Sequence, residues 1–113
     1  MNEKNIVLND TKEKTAEQDS NVYMLKKPFE YEDRKYTGFT FEFDKLNGFD
    51  MIDTESELRD RGNFFITPET DTSFIIAIAA KAAKVSDTVL SALPIADFLA
   101  IKRMTQRFLN SRD

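Results

Sequence analysis

The sequence predicts an α+β domain, an N-terminal β-hairpin packed against three to four α-helices and preceded by a disordered polar tail. Three observations predict it. Aromatic and polar residues alternate between Tyr36 and Phe43, the two-residue period of a half-buried strand. Capping residues at Asp71-Thr72-Ser73 and Ser86-Asp87 open apolar stretches of helical character. Residues 9–20 hold a single Ala among Lys, Glu, Asp, Thr, Gln, Asn and Ser, so they cannot bury enough surface to offset the entropy of ordering them. With 113 residues there is room for one domain, expected over residues 21–113 behind a flexible tail at 1–20. Ile6-Val7-Leu8 is the one apolar triplet in that tail.

Taken in order, Val22-Tyr23-Met24-Leu25 reads as a short strand, which Pro28 confines to a sheet edge or ends. Phe29 and Tyr31 then alternate with Glu30 and Glu32, and Asp33-Arg34-Lys35 supplies polar turn residues. Phe39, Phe41 and Phe43 share the second face, so the hairpin spans 22–43 with one aromatic side that helices must cover. A first helix over about 48–61 stops at Gly62. Its apolar stripe of Phe49, Met51, Ile52 and Leu58 is thin, which places it on the surface, and Glu55–Arg59 and Glu57–Arg61 are spaced as i,i+4 pairs. Residues 63–70 form a loop containing Pro68. A second helix covers 72–84, with Phe74, Ile75, Ile78, Ala82 and Val85 on one broad face and alanines on the other. A short helix at 86–91 and a final one at 94–110, opened by Pro94, complete the domain.

Composition narrows the chemistry. Cysteine and histidine are both absent, which removes disulfides, thiolate chemistry, thiolate zinc sites and the commonest general base and metal ligand. The net charge of −4 is uneven: residues 1–62 carry 10 basic against 15 acidic residues, and residues 63–113 carry 6 against 5. Nucleic-acid binding usually goes with the opposite balance. No charged leader with an apolar core opens the chain, and the longest apolar run, Phe74 to Ala80, is far short of a membrane span. A soluble intracellular protein without nucleic-acid or membrane partners is expected.

Lys35–Phe43 has the alternating aromatics of a base-stacking strand, but its surroundings are acidic and only one hairpin is visible; alternating Phe is equally the mark of a half-buried strand. The carboxylates Asp44, Asp50, Asp53, Glu55 and Glu57 lack the spacing of a calcium loop and read as a solvated helix face. Gly38, Gly48 and Gly62 stand alone, so no phosphate loop exists, and Ser73, Ser86 and Ser91 have no histidine to activate them. No catalytic residue, metal site or cofactor is expected. The final helix is more informative. Ile95, Ala96, Phe98, Leu99, Ala100 and Ile101 nearly encircle its axis, so it is either central to the core or touches a second surface.

Phe41-Glu42-Phe43-Asp44-Lys45-Leu46-Asn47-Gly48-Phe49-Asp50 resembles the F-x-F-x-K-L-T-G-x-D lead-in to the first helix of bacteriophage and prophage tail assembly chaperones. Ile52–Arg59 is similar to their acidic first helix, Ile76–Val85 to their Ala-rich helix, and Leu93–Phe98 with Phe108-Leu109 to their closing segment. The resemblance spans about residues 22–110. Asn47 departs from it where threonine is common, and residues 1–20 lie outside the pattern. The resemblance implies a non-enzymatic protein of the host bacterial cytoplasm that binds the tape measure protein during tail-tube assembly and is absent from the mature virion. In many such families a ribosomal frameshift gives a longer form sharing the N-terminal region, a further possible partner. The expected mechanism is stoichiometric sequestration of apolar helical segments, without nucleotide or metal.

The expected contact surface is Phe98, Ile101, Met104, Phe108 and Leu109, while Phe39, Phe41 and Phe43 are assigned to the core. The hairpin edge offers a route to a homo-oligomer by strand pairing. Two rival functions stand beside the chaperone: a structural minor tail protein (connector or terminator), which would stay in the virion, and a small phage regulatory adaptor that binds a host protein.

Overall fold

The computed structural model describes residues 21–111; the tail expected at 1–20, with Ile6-Val7-Leu8, lies outside the described residues. β1 (Val22–Tyr31) and β2 (Arg34–Thr40) form a two-stranded antiparallel sheet. It is followed by α1 (Gly48–Asp60), α2 (Thr72–Ala83), α3 (Asp87–Ser91) and α4 (Ile95–Asn110), with single 3-10 turns at Phe43–Lys45 and Pro68–Thr70. The expected hairpin and four helices are all present.

The hairpin departs from the sequence reading at three points. Tyr31 pairs with Arg34, so the turn is Glu32-Asp33, with φ of 49° and 69°, rather than Asp33–Lys35. Both residues sit in the left-handed region that tight two-residue hairpin turns require, which Asp tolerates better than Glu. Next, the register jumps between Met24↔Gly38 and Phe29↔Tyr36, so Leu25, Lys26, Lys27 and Pro28 bulge opposite Thr37. A bulge is where a strand accommodates proline, which has no N–H to give to the ladder. Gly38 lies where the strands come closest: a Cβ there would meet the Tyr23 carbonyl oxygen at 2.7 Å. Finally, pairing stops at Thr40 instead of Phe43. The Phe41 N–H donates to the Asn21 carbonyl (2.8 Å) and the Glu42 N–H to the Ala82 carbonyl (3.0 Å), at the end of α2. Burial still alternates through Phe39, Phe41 and Phe43, all inside.

The hairpin's exit is locked to α2 because that helix ends in a left-handed cap. Lys84 has φ 61°, and the Val85 N–H reaches back to the Ala80 carbonyl at 3.0 Å, as in a Schellman termination. Lys84 Nζ also meets the Glu42 carboxylate at 3.2 Å.

α1 begins with a capping box. The Asn47 side chain accepts from the Phe49 and Asp50 N–H groups, and Asp50 Oδ2 accepts from the Asn47 N–H at 2.9 Å. Leu58 and Thr54 point inward, and Gly62, with φ 97°, closes the C-terminal end. Glu55 and Arg59 pair as expected at 3.7 Å. Glu57 and Arg61 do not pair with each other: neighbouring helices compete for them, Lys81 taking Glu57 (3.5 Å) and Asp87 taking Arg61 (2.8 Å).

α2 is buried around its whole circumference from Phe74 to Ala80, rather than along one face. It divides the core. On one side Ile76, Ala79, Ala80 and Ala82 join Phe39, Phe41, Phe43, Leu90 and Ile101; on the other, Phe74, Ala77 and Ile78 join Leu58 and Phe65. Its alanines let α4 approach closely. A run of stacked rings links sheet to helix, with Phe41–Phe43 centroids 5.5 Å apart and Phe43–Phe108 4.7 Å apart.

Candidate functional site

Of the five α4 side chains expected to form a contact surface, Ile101 is buried and Phe98, Met104, Phe108 and Leu109 are half-buried, packed against the domain's own clusters. Ile101 is wholly buried. Phe98, Met104 and Phe108 pack on the cluster around Phe41 and Leu90, with Phe108 stacked on Phe43, and Leu109 packs on the cluster around Leu58. The reason is helical geometry: positions 101, 104 and 108 form the i, i+3, i+7 stripe that α2 covers. Phe98 and the Met104–Phe108 pair keep only partial exposure at shallow clefts. Phe98 shares one of about 200 Å³ with Arg61, Asn63 and Thr88; Met104 and Phe108 share one of about 240 Å³ with Asn21 and Arg107.

What α4 leaves outside is a different set. Ile95 is 68% exposed and Leu99 40%, with Ala96 also open to solvent. The sequence held a signal for them: the apolar ring from Ile95 to Ile101 has more apolar residues than one face can bury. Those on the side away from Phe98 and Ile101 remain in water. Other large apolar side chains are exposed as well. Phe49 and Ile52 lie one turn apart on the outer side of α1, Phe64 and Ile66 flank the buried Phe65 in the loop before Pro68, and Met24 lies on the outer side of β1. Phe65 is fixed by Phe74 and by the Arg59 guanidinium 5.2 Å from its ring centroid, so Phe64 and Ile66 are held outward on either side of an anchored residue.

The start of α4 is held by a buried carboxylate that the sequence reading did not single out. Asp97 is 2% exposed and accepts from the Tyr23 hydroxyl at 2.6 Å and, at 3.4 Å, from the Lys26 N–H inside the β1 bulge. Burial, followed by the Asp97 hydrogen bond and charge, pushes the Tyr23 hydroxyl up to about 12, while Arg103 pulls the other way. This contact fixes the bulge against α4 and sets which side of the helix faces out.

Three of the five acidic residues of α1 are engaged in capping and surface pairing: Asp50 caps, Glu55 meets Arg59 and Glu57 meets Lys81. Among the described residues no three carboxylates converge into a metal-sized cluster, and no helix is long and apolar enough to cross a membrane. Phe39, Phe41 and Phe43 are buried against helices, so their rings present no open stacking face. What the surface can do is bind protein through apolar side chains set among charges. No protein family, characterised protein or solved structure matches the chain.

Proposed function

We propose that this chain is a tail assembly chaperone, binding and solubilising apolar helical segments of the tape measure protein during tail-tube assembly. It acts in the host bacterial cytoplasm and does not remain in the mature virion. The observation that carries the reading is the exposure of Phe49, Ile52, Phe64, Ile66, Ile95 and Leu99 on a domain whose core is already complete. Each such side chain forgoes roughly 1.5–3 kcal/mol of burial while it stays in water. A partner's apolar stripe recovers that energy. The surrounding charges keep the complex soluble. The resemblance of residues 41–50 to the tail-chaperone lead-in supports the same reading; in this chain Phe41 and Phe43 are core, Asn47 and Asp50 form the capping box, and Phe49 is exposed.

Co-expression with the tape measure protein of the same tail gene cluster, followed by size-exclusion chromatography, tests the proposal. Co-elution of the two, with a tape measure that precipitates when made alone, is the expected result. A tape measure that stays insoluble, both with this chain and with any longer frameshifted form of it, contradicts the proposal. Recovery of this chain in purified virions would favour a structural tail role instead.

A further inference from the structure

The exposed side of α4 combines two properties. Ile95, Leu99 and Arg103 follow one another at i, i+4, i+8, forming a single ridge along the helix with Ala96 beside it. The first two are apolar and uncovered, and cations border them. Arg103 lies on the ridge itself, close enough to Tyr23 to act on its hydroxyl, Lys102 follows Leu99 by one turn, and the backbone of Lys26 is held at Asp97 by the β1 bulge. Among the described residues none of Lys26, Lys102 and Arg103 has a carboxylate partner, whereas Lys81, Lys84, Arg59 and Arg61 all do. Asp97, the one acidic residue of α4, is turned inward and occupied by Tyr23. This face is therefore apolar at its centre and positive at its margin, and among the described residues no carboxylate forms an ion pair with those cations. The outer side of α1 is the reverse, with Phe49 and Ile52 set beside Asp53 and Asp60.

We propose that the Ile95–Ala96–Leu99–Arg103 face of α4, bordered by Lys26 and Lys102, docks an amphipathic helix of the partner protein whose apolar stripe is flanked by Asp and Glu. The proposal rests on the chaperone reading and names the face used and the chemistry of the segment bound. A single i,i+4 ridge fits the groove between side-chain rows of another helix. The nine residues from Ile95 to Arg103 rise about 12 Å, matching about two turns of a partner. Complementary charge then sets orientation and rejects basic helices. Nucleic acid would use the cations but has no use for Ile95 and Leu99.

The test uses the full chain and two labelled helical peptides of about 20 residues, long enough to hold helix in water. Both carry the same leucine stripe, flanked in one by Glu and in the other by Lys. Fluorescence anisotropy is expected to show the Glu-flanked peptide binding at least about tenfold more tightly, with affinity falling as salt rises. Leu99→Asp and Ile95→Asp should each weaken it about tenfold or more. Arg103→Glu should weaken it and flatten the salt dependence, while Lys35→Glu, a charge reversal at an exposed position of β2, should leave it unchanged. Leu99→Gln, close to leucine in size, replaces Leu99→Asp if circular dichroism shows the latter unfolded. Equal binding of both peptides, indifference to the Leu99 substitution, or loss on Lys35→Glu overturns the proposal. So does binding to phosphatidylserine vesicles or to oligonucleotides that needs Arg103 but not Leu99. In tape measure co-expression, undiminished co-elution of Leu99→Asp overturns the docking face and leaves the chaperone reading standing. Failure to co-elute of both the unmodified chain and any longer frameshifted form overturns the chaperone reading, and the peptide result then stands or falls on its own.

Discussion

Replacing Asp97 with alanine removes the acceptor that ties α4 to β1. The Tyr23 hydroxyl loses a 2.6 Å bond to a carboxylate, and the Lys26 N–H loses a longer one at 3.4 Å. A hydrogen bond to a charged acceptor contributes roughly 1.5–3 kcal/mol, and the weaker one less, so the expected cost is about 3 kcal/mol. For a domain of this size that lowers Tm by roughly 10–20 °C. Asp97→Asn keeps an oxygen acceptor and should cost about 1 kcal/mol. Tyr23→Phe leaves a buried carboxylate without its shorter partner and should cost as much as the alanine change or more. Urea denaturation followed by far-UV circular dichroism measures all three. An Asp97→Ala variant within about 0.5 kcal/mol of the parent would refute the reasoning, since that is the range of a surface change. The pair also sets a pH dependence. The Tyr23 hydroxyl titrates near 12 when folded and near 10 when unfolded, so above pH 10 the unfolded state releases its proton first. The stability from this group is fully present below pH 10 and is lost as pH rises towards 12. Ultraviolet titration of tyrosinate should find Tyr23 ionising late, and Asp97→Ala should lower its midpoint.

Three further outcomes follow from the packing. Ile101→Ala and Phe108→Ala should each cost about 2–5 kcal/mol, because Ile101 is buried in the core and Phe108 packs on it, stacked against Phe43; near-neutral values in thermal denaturation would contradict that packing. Asn47→Ala should cost about 1 kcal/mol through loss of the capping box, whereas Asn47→Thr should stay within a few tenths, both by urea titration. Gly38→Ala forces a methyl group to within 2.7 Å of the Tyr23 carbonyl, so it should destabilise by about 1–3 kcal/mol and shift the amide resonances of Tyr23 and Met24.

The elements were legible because each has a local cause. Asp71 and Ser86 cap helices as their positions suggest, and Gly62 ends one in the left-handed conformation that favours glycine. Alternation in residues 39–43 gave the buried aromatic face. It could not give the end of the ladder, because pairing stops where the Ala82 carbonyl, far along the chain, takes the Glu42 N–H. The hairpin turn escaped notice for the opposite reason: Glu32 is an unfavourable residue for a positive φ, and only the flanking pairing enforces it. Which side of α4 meets a partner is a tertiary question. The wheel shows Ile101, Met104 and Phe108 as one stripe and Ile95 with Leu99 as another, but only the placement of α2, and of Asp97 under Tyr23, decides which stripe is inside. Nothing local marks Asp97, since its partner lies 74 residues away.

The most direct test of the central claim is light scattering on dilution of the denatured tape measure protein into buffer containing increasing amounts of this chain. The account predicts suppression that saturates at a fixed stoichiometric ratio, without nucleotide, and a higher requirement for Leu99→Asp at unchanged Tm. Scattering that is the same at several-fold excess of the folded chain as without it would contradict the account.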